Sequence, residues 1–112
     1  MLKRTETRNF VRIGKRDRRY FELSDGELFL PVGMNLCFPR FELDEEKVFA
    51  DYRRCMKLFA ENGGNFIRIW LSHPFFELEP ERIGIIDPVR LNRLSRLIEL
   101  AGEFNIRLKL TL

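Results

Sequence analysis

The stretch Gly63-Gly64-Asn65-Phe66-Ile67-Arg68-Ile69-Trp70-Leu71-Ser72 decides how the rest of the chain is read. Its glycines are suited to end a helix in the left-handed conformation, and the residues after them alternate as a strand. Ile67, Ile69 and Leu71 fall on one face, and Phe66, Arg68, Trp70 and Ser72 on the other. The first face is ordinary core. The second holds an arginine between two aromatics, and a guanidinium taken out of water without a partner is costly. Arg68 therefore calls for a neutralising group, and no residue of the chain stands out as that group.

Upstream of this strand the apolar residues Val48, Phe49, Tyr52, Met56, Phe59 and Ala60 recur at helical spacing, with Lys47, Asp51, Arg53, Arg54 and Lys57 largely opposite. Asp44 is placed to cap the helix, and Glu45 and Glu46 complement its dipole in the first turn. Downstream, His73 to Ile86 is a long connection containing Pro74, Phe75, Phe76, Pro80 and Gly84, a length that is uncommon in compact units and often functional. Asp87-Pro88 then starts a second helix, with Leu91, Leu94, Leu97, Ile98 and Ala101 as its buried stripe. Arg90, Arg93, Arg96, Glu99 and Glu103 are expected mainly in solvent. Asn105 can take the left-handed position after the helix. Ile106, Leu108, Leu110 and Leu112 alternate with Arg107, Lys109 and Thr111, so the last segment is a strand.

Ahead of the first helix, Asn9 to Ile13 and Arg19 to Leu23 flank the turn-like Gly14-Lys15-Arg16-Asp17-Arg18 and predict a hairpin. Ser24-Asp25-Gly26 is a second turn. Leu28 to Leu36 is expected as one strand, broken or bulged at Pro31 because a proline removes a ladder donor, with Val32 to Leu36 firmly paired. Gly33 and Asn35 share a face of that strand, and a missing side chain beside a polar one suggests close approach by backbone or ligand.

The chain has 112 residues, a net charge of +3 and two cysteines, which fits one small globular unit. No apolar run reaches the ~18 residues of a membrane span. Met1 to Arg19 is basic without the apolar region of a signal peptide, so the expected compartment is the cytoplasm. Cys37 and Cys55 lack metal-site spacing and are expected reduced. Lys3, Arg4, Arg8, Arg12, Lys15, Arg16, Arg18 and Arg19 crowd the N-terminus, which admits a nucleic-acid or anionic-surface patch. Interspersed Phe10, Val11, Ile13, Tyr20, Phe21 and Leu23 favour a solvated hairpin instead.

Strands alternating with helices imply parallel pairing, in either a doubly wound sheet or a (β/α)8 barrel. The barrel is preferred because each strand has one smooth apolar face and one mixed face, whereas strands covered on both sides read as continuous apolar runs. The fold class is therefore α/β: the first three strands and two helices of a (β/α)8 barrel, preceded by a short β-hairpin. Residues 1–24 are assigned to the basic hairpin and residues 25–112 to the first third of the barrel. A whole barrel takes ~250 residues, so the chain is expected to be a fragment whose reading frame continues for at least ~130 more.

Asp25-Gly26-Glu27-Leu28-Phe29, Gly33-Met34-Asn35, Gly64-Asn65-Phe66-Ile67-Arg68-Ile69-Trp70, Ile86-Asp87-Pro88 and the run from Ala101 to Leu112, in this order and spacing, resemble the opening third of cellulase-like and mannanase-like enzymes of glycoside hydrolase family 5. The resemblance covers about Tyr20 to Leu112. It departs at Asn105, where the family often has glycine before the third strand. It implies a retaining glycosidase acting on O-glycosidic bonds of β-linked polysaccharides or oligosaccharides, without cofactor. Arg68 then matches the second-strand arginine that supports the nucleophilic glutamate, keeping it ionised and oriented. The family's acid/base glutamate follows the fourth strand and its nucleophile the seventh, and neither position exists in this chain. The chain alone is accordingly expected to be inactive.

Asn35, Phe38, Trp70 and His73 are the candidate substrate-binding residues: Phe38 and Trp70 sit at or near strand ends, where their rings stack on sugars or simply pack, Asn35 is a hydrogen-bonding side chain by the first loop, and His73 follows the second strand. His73 is the only histidine and makes no metal site by itself. Glu77, Glu79 and Glu81 in the long loop are read as a solvated charge run and not as catalytic. Two other readings stay open: a non-catalytic fragment or binding module, and a nucleic-acid-binding module acting through the basic N-terminus.

Overall fold

A computed structural model describes residues 9–40 and 44–112. Lys3, Arg4 and Arg8 of the basic cluster lie outside them. The elements run β1 (Val11–Ile13), β2 (Phe21–Leu23), β3 (Leu28–Phe29), β4 (Gly33–Asn35), α1 (Glu45–Glu61), β5 (Phe66–Trp70), α2 (Pro88–Glu103) and β6 (Arg107–Thr111). They form two three-stranded sheets, an antiparallel one in the order β1-β2-β3 and a parallel one in the order β4-β5-β6. The parallel sheet with its crossover helices α1 and α2 is a βαβαβ unit, consistent with an arc of a (β/α)8 barrel.

The single strand expected from Leu28 to Leu36 is in fact two strands in two sheets. Pro31 has no N–H to give a ladder, and the link around it is held by Asn65 instead. The Asn65 Oδ1 accepts from the Val32 N–H at 2.8 Å, and its Nδ2 donates to the Leu30 carbonyl at 3.0 Å. Leu28–Phe29 thus extends the expected hairpin to a third strand, with Phe21 opposite Phe29, through the turn at Gly26, whose φ is 93°. Arg12 is neutralised within this sheet by Glu22 at 2.9 Å, and Arg19 by Asp17 at 2.6 Å.

Both helices begin where the sequence predicts. The Asp44 and Asp87 carboxylates accept from the first-turn N–H groups of α1 and α2, and Pro88 stands where its missing N–H has no partner to lose. Gly63 at φ 87° and Asn105 at φ 54° turn the chain into β5 and β6. At Gly64 a Cβ would collide with the Phe59 ring, so the absence of a side chain lets β5 start tight against α1.

The core lies between the helices and one face of the parallel sheet. Met56, Ile67, Ile69, Phe76 and Leu97 are fully buried there, joined by Val48, Phe49, Tyr52, Phe75, Leu94, Leu100, Ala101 and Ile106. The α2 stripe differs from expectation at its start: Leu91 is exposed, and Leu100 takes part instead. The long connection contributes two of these core rings, Phe75 and Phe76, packed edge to face at 4.9 Å. Arg93 and Arg96, expected in solvent, fasten α2 to α1. Arg93 binds Glu45 at 2.8 Å and lies over the Phe75 ring, and Arg96 binds Glu45 at 2.9 Å and lies 4.0 Å from the Phe49 centroid. Aromatic faces shield the guanidiniums while the carboxylates neutralise them.

Candidate functional site

The parallel sheet has a second face. Side chains alternate along a strand, so with Ile67 and Ile69 in the core, Phe66, Arg68 and Trp70 stand on the opposite side. The register adds their neighbours: Gly33, Phe66 and Arg107 in one row, Asn35, Arg68 and Lys109 in the next, Trp70 and Thr111 in the last. No helix of the described residues covers this face, and Asn35, Trp70 and Lys109 are exposed.

Gly33 answers one expectation differently. A Cβ there would collide with the Phe66 ring, so what approaches this glycine is a neighbouring side chain from β5 and not a ligand. Arg68 is half-buried, as a residue between two aromatic rings should be. Its Nε donates to Thr111 Oγ1 at 3.1 Å, and its guanidinium carbon is 5.6 Å from the Trp70 ring centroid. These partners orient it without neutralising it. Among the described residues Arg68 makes no ion pair, and no acidic residue stands on the open face of the sheet.

At the C-terminal ends of β4 and β5 a shallow concavity of about 360 Å³ is lined by Phe38, Trp70, Ser72, His73 and Pro74. Three of the four candidate binding residues are therefore in one place. Phe38 is 47% and Trp70 39% exposed, which separates them from the core aromatics. The Phe38 ring is tilted 55° to Trp70 at 5.8 Å and stacks nearly parallel on His73 at 5.6 Å. The Trp70 N–H donates to the Cys37 carbonyl at 2.9 Å, which fixes the strand ends that carry two of these rings. His73 Nδ1 accepts from the Phe75 N–H at 3.2 Å, so the imidazole is tied to the loop whose next two rings enter the core. Asn35 is not a wall of the concavity; it stands beside Arg68, one row below.

Glu77, Glu79 and Glu81 do not line the concavity. Glu77 pairs with Arg90 at 3.6 Å, and Glu79 accepts from the Gly84 N–H at 3.0 Å, so both act in folding the long connection. Among the described residues no cluster of histidine, cysteine and carboxylates has the makings of a metal site, and no helix is long and apolar enough to cross a membrane. Cys37 and Cys55 are free thiols. Lys109 and Thr111 are the site neighbours that inspection of the sequence passed over. Alternation already gave them one face of β6, but only the pairing register makes them partners of Arg68 and Trp70.

A larger groove, about 400 Å³, runs between α1 and α2 on the far side of the core. Four of its charged residues pair with one another, Arg53 with Glu103 and Arg96 with Glu46.

The fold of this parallel α/β unit is glycoside hydrolase-like by its similarity to a solved enzyme. Among solved structures the chain is similar to the exo-beta-1,4-mannosidase Op5Man5 from Opitutaceae bacterium strain TAV5, with a TM-score of 0.64 and 29% sequence identity over 82% of this chain. The match spans 16% of that enzyme's chain. No protein-family model matches the sequence, and no curated protein matches it.

Proposed function

We propose that this chain forms the first arc of a (β/α)8 glycosidase barrel and contributes one wall of a site for a β-linked oligosaccharide or polysaccharide, whose O-glycosidic bond is hydrolysed with retention. The observation that carries this reading is the convergence of Trp70, Phe38 and His73 at the C-terminal end of parallel strands, the end at which barrel enzymes keep their chemistry, with Arg68 against Trp70 one row below. The rings supply apolar faces for sugar to stack on. Arg68 supplies a fixed positive charge. A retaining glycosidase needs two carboxyl groups about 5 Å apart, one of them ionised at the start, and a guanidinium beside a carboxylate favours that ionised state. Similarity to a named exo-beta-1,4-mannosidase supports a carbohydrate substrate.

The same open face favours a second reading for residues 1–112 by themselves, that of a non-catalytic piece, because none of the described residues on it is a carboxylate. The two readings are separated by one comparison on a chromogenic aryl β-glycoside. The product of the complete reading frame should turn it over, and Arg68→Lys should lower kcat by about 100-fold, the scale of losing one aligned electrostatic donor. The melting temperature should barely move, since lysine keeps the charge and loses only the planar fork. Equal rates in the two proteins would reduce Arg68 to a structural residue. Turnover by residues 1–112 alone, lost on replacing Glu77 or Glu79, would move the chemistry into the long connection.

A further inference from the structure

The middle row of the open face places Arg68 directly across from Lys109, with Arg107 one row below on the same strand as Lys109. Neighbouring strands lie about 4.8 Å apart, and like charges set opposite each other on a sheet destabilise it. The charged or titratable groups facing this spot are few. β4 offers only the neutral Asn35, β5 offers Arg68, and β6 offers Arg107 and Lys109; His73 stands at the rim, beyond Trp70. Arg107 spends one Nη on Asn105 Oδ1 at 3.0 Å, while its Nε is buried with no partner. Among the described residues, the hydrogen-bond partners of Arg68 and Arg107 on this face are therefore neutral oxygens, and Lys109 stands beside them without an ion pair.

The geometry points to one shared anion, and we infer that Lys109 is a positioning residue that, together with Arg68, brackets a single carboxylate over the middle row of the sheet. Arg68 has committed Nε to Thr111, which leaves its two Nη groups as the fork for parallel bonds to a planar carboxylate. Lys109 adds a mobile point charge from the adjacent strand. Two cations on one carboxylate convert a like-charge repulsion into a three-body attraction. The inference rests on the glycosidase reading in naming that carboxylate as the nucleophile of the same protein; the cradle itself would equally hold a free carboxylate.

The test uses Lys109→Met and Lys109→Arg in the product of the complete reading frame. In the active protein the acid limb of the kcat/KM profile, which reports ionisation of the nucleophile, should move up by about 1 pH unit in Lys109→Met, at the low end of what an opposite charge at 4–6 Å contributes. Lys109→Arg should return it towards the original position. An acid limb that coincides in all three proteins overturns the inference while leaving the glycosidase reading intact. If the parent protein hydrolyses no glycoside, that reading has failed on its own, and the cradle is decided with sodium acetate. In residues 1–112, where Trp70 is the sole tryptophan, emission should then respond saturably to acetate and not to sodium chloride of equal ionic strength, with the response lost in Lys109→Met. No response, or the same response in both proteins, overturns it.

Discussion

Ile69 and Trp70 are consecutive residues of one strand, yet Ile69 has no exposed surface and Trp70 is 39% exposed. The contrast extends along the whole of β5. Ile67 and Ile69 pack under two helices, whereas Arg68 and Trp70 stand with Asn35, Lys109 and Thr111 on a face that no described element covers. The two faces obey different rules. On the covered face burial of apolar area stabilises, and among the described residues no charged side chain is buried there. On the open face a guanidinium, an ammonium and a large aromatic are held in register at some cost to the sheet. A period of two thus gives one five-residue strand two faces of different composition, one for the core and one that the proposed function uses for recognition.

Substitutions on either side of that boundary should part company. Ile69→Ala is expected to destabilise by about 2–5 kcal/mol, the cost of a cavity in a packed core, read as a lower denaturant midpoint. Trp70→Ala, one residue on, should leave the midpoint within about 1 kcal/mol, as befits a half-open side chain, while weakening oligosaccharide binding. Equal losses of stability at both positions would break the division of the strand into two faces.

A subtler check lies inside the covered face. Tyr52 is 3% exposed and its hydroxyl has no hydrogen-bond partner; burial raises its pKa, and Cys37 nearby adds to the shift. Tyr52→Phe removes that unsatisfied group and should be neutral or stabilising by up to about 1–2 kcal/mol. A clear loss on thermal unfolding would reveal that the hydroxyl is doing something for the fold.

The smallest effect concerns the helix clamp. The hydrogen bond from Arg93, with Arg96 behind it, holds the Glu45 carboxyl below its usual 4.5. A carboxylate with a depressed folded pKa contributes stability that is complete above its unfolded pKa and lost as pH falls through the folded value. Glu45→Gln should accordingly be less stable than the parent by under about 1 kcal/mol at neutral pH, screened as it is by solvent. The difference should close below about pH 4.5. A gap that persists at lower pH would assign the effect to packing.

Much of this was legible along the chain because it is local. Asp44, Asp87, Pro88, Gly63 and Asn105 mark the helix ends by what their own backbones and side chains can do, and the structure uses each in that way. Pairing between distant segments was less so. Leu28 to Leu36 reads as one run, and nothing nearby says that Leu28–Phe29 pairs with β2 while Gly33–Asn35 pairs with β5. The Asn65 clamp across residues 30–32 is a contact over more than thirty positions. The burial of Phe75 and Phe76 in a loop, and the use of Arg93 and Arg96 as links to α1, likewise depend on what the fold brings close. At the site, Arg68, Phe38, Trp70 and His73 stood out by residue type and position. Lys109 did not, because its meaning comes from the register that sets it opposite Arg68.

The most direct measurement of the division between the faces follows the emission of Trp70, which has no competing tryptophan in the chain, during titration with a β-1,4-linked manno- or cello-oligosaccharide. The open face as a carbohydrate site predicts a saturable change that is insensitive to salt and abolished by Phe38→Ala. No change with any such sugar, alongside a response to DNA or RNA that weakens steeply as salt is raised, would contradict it.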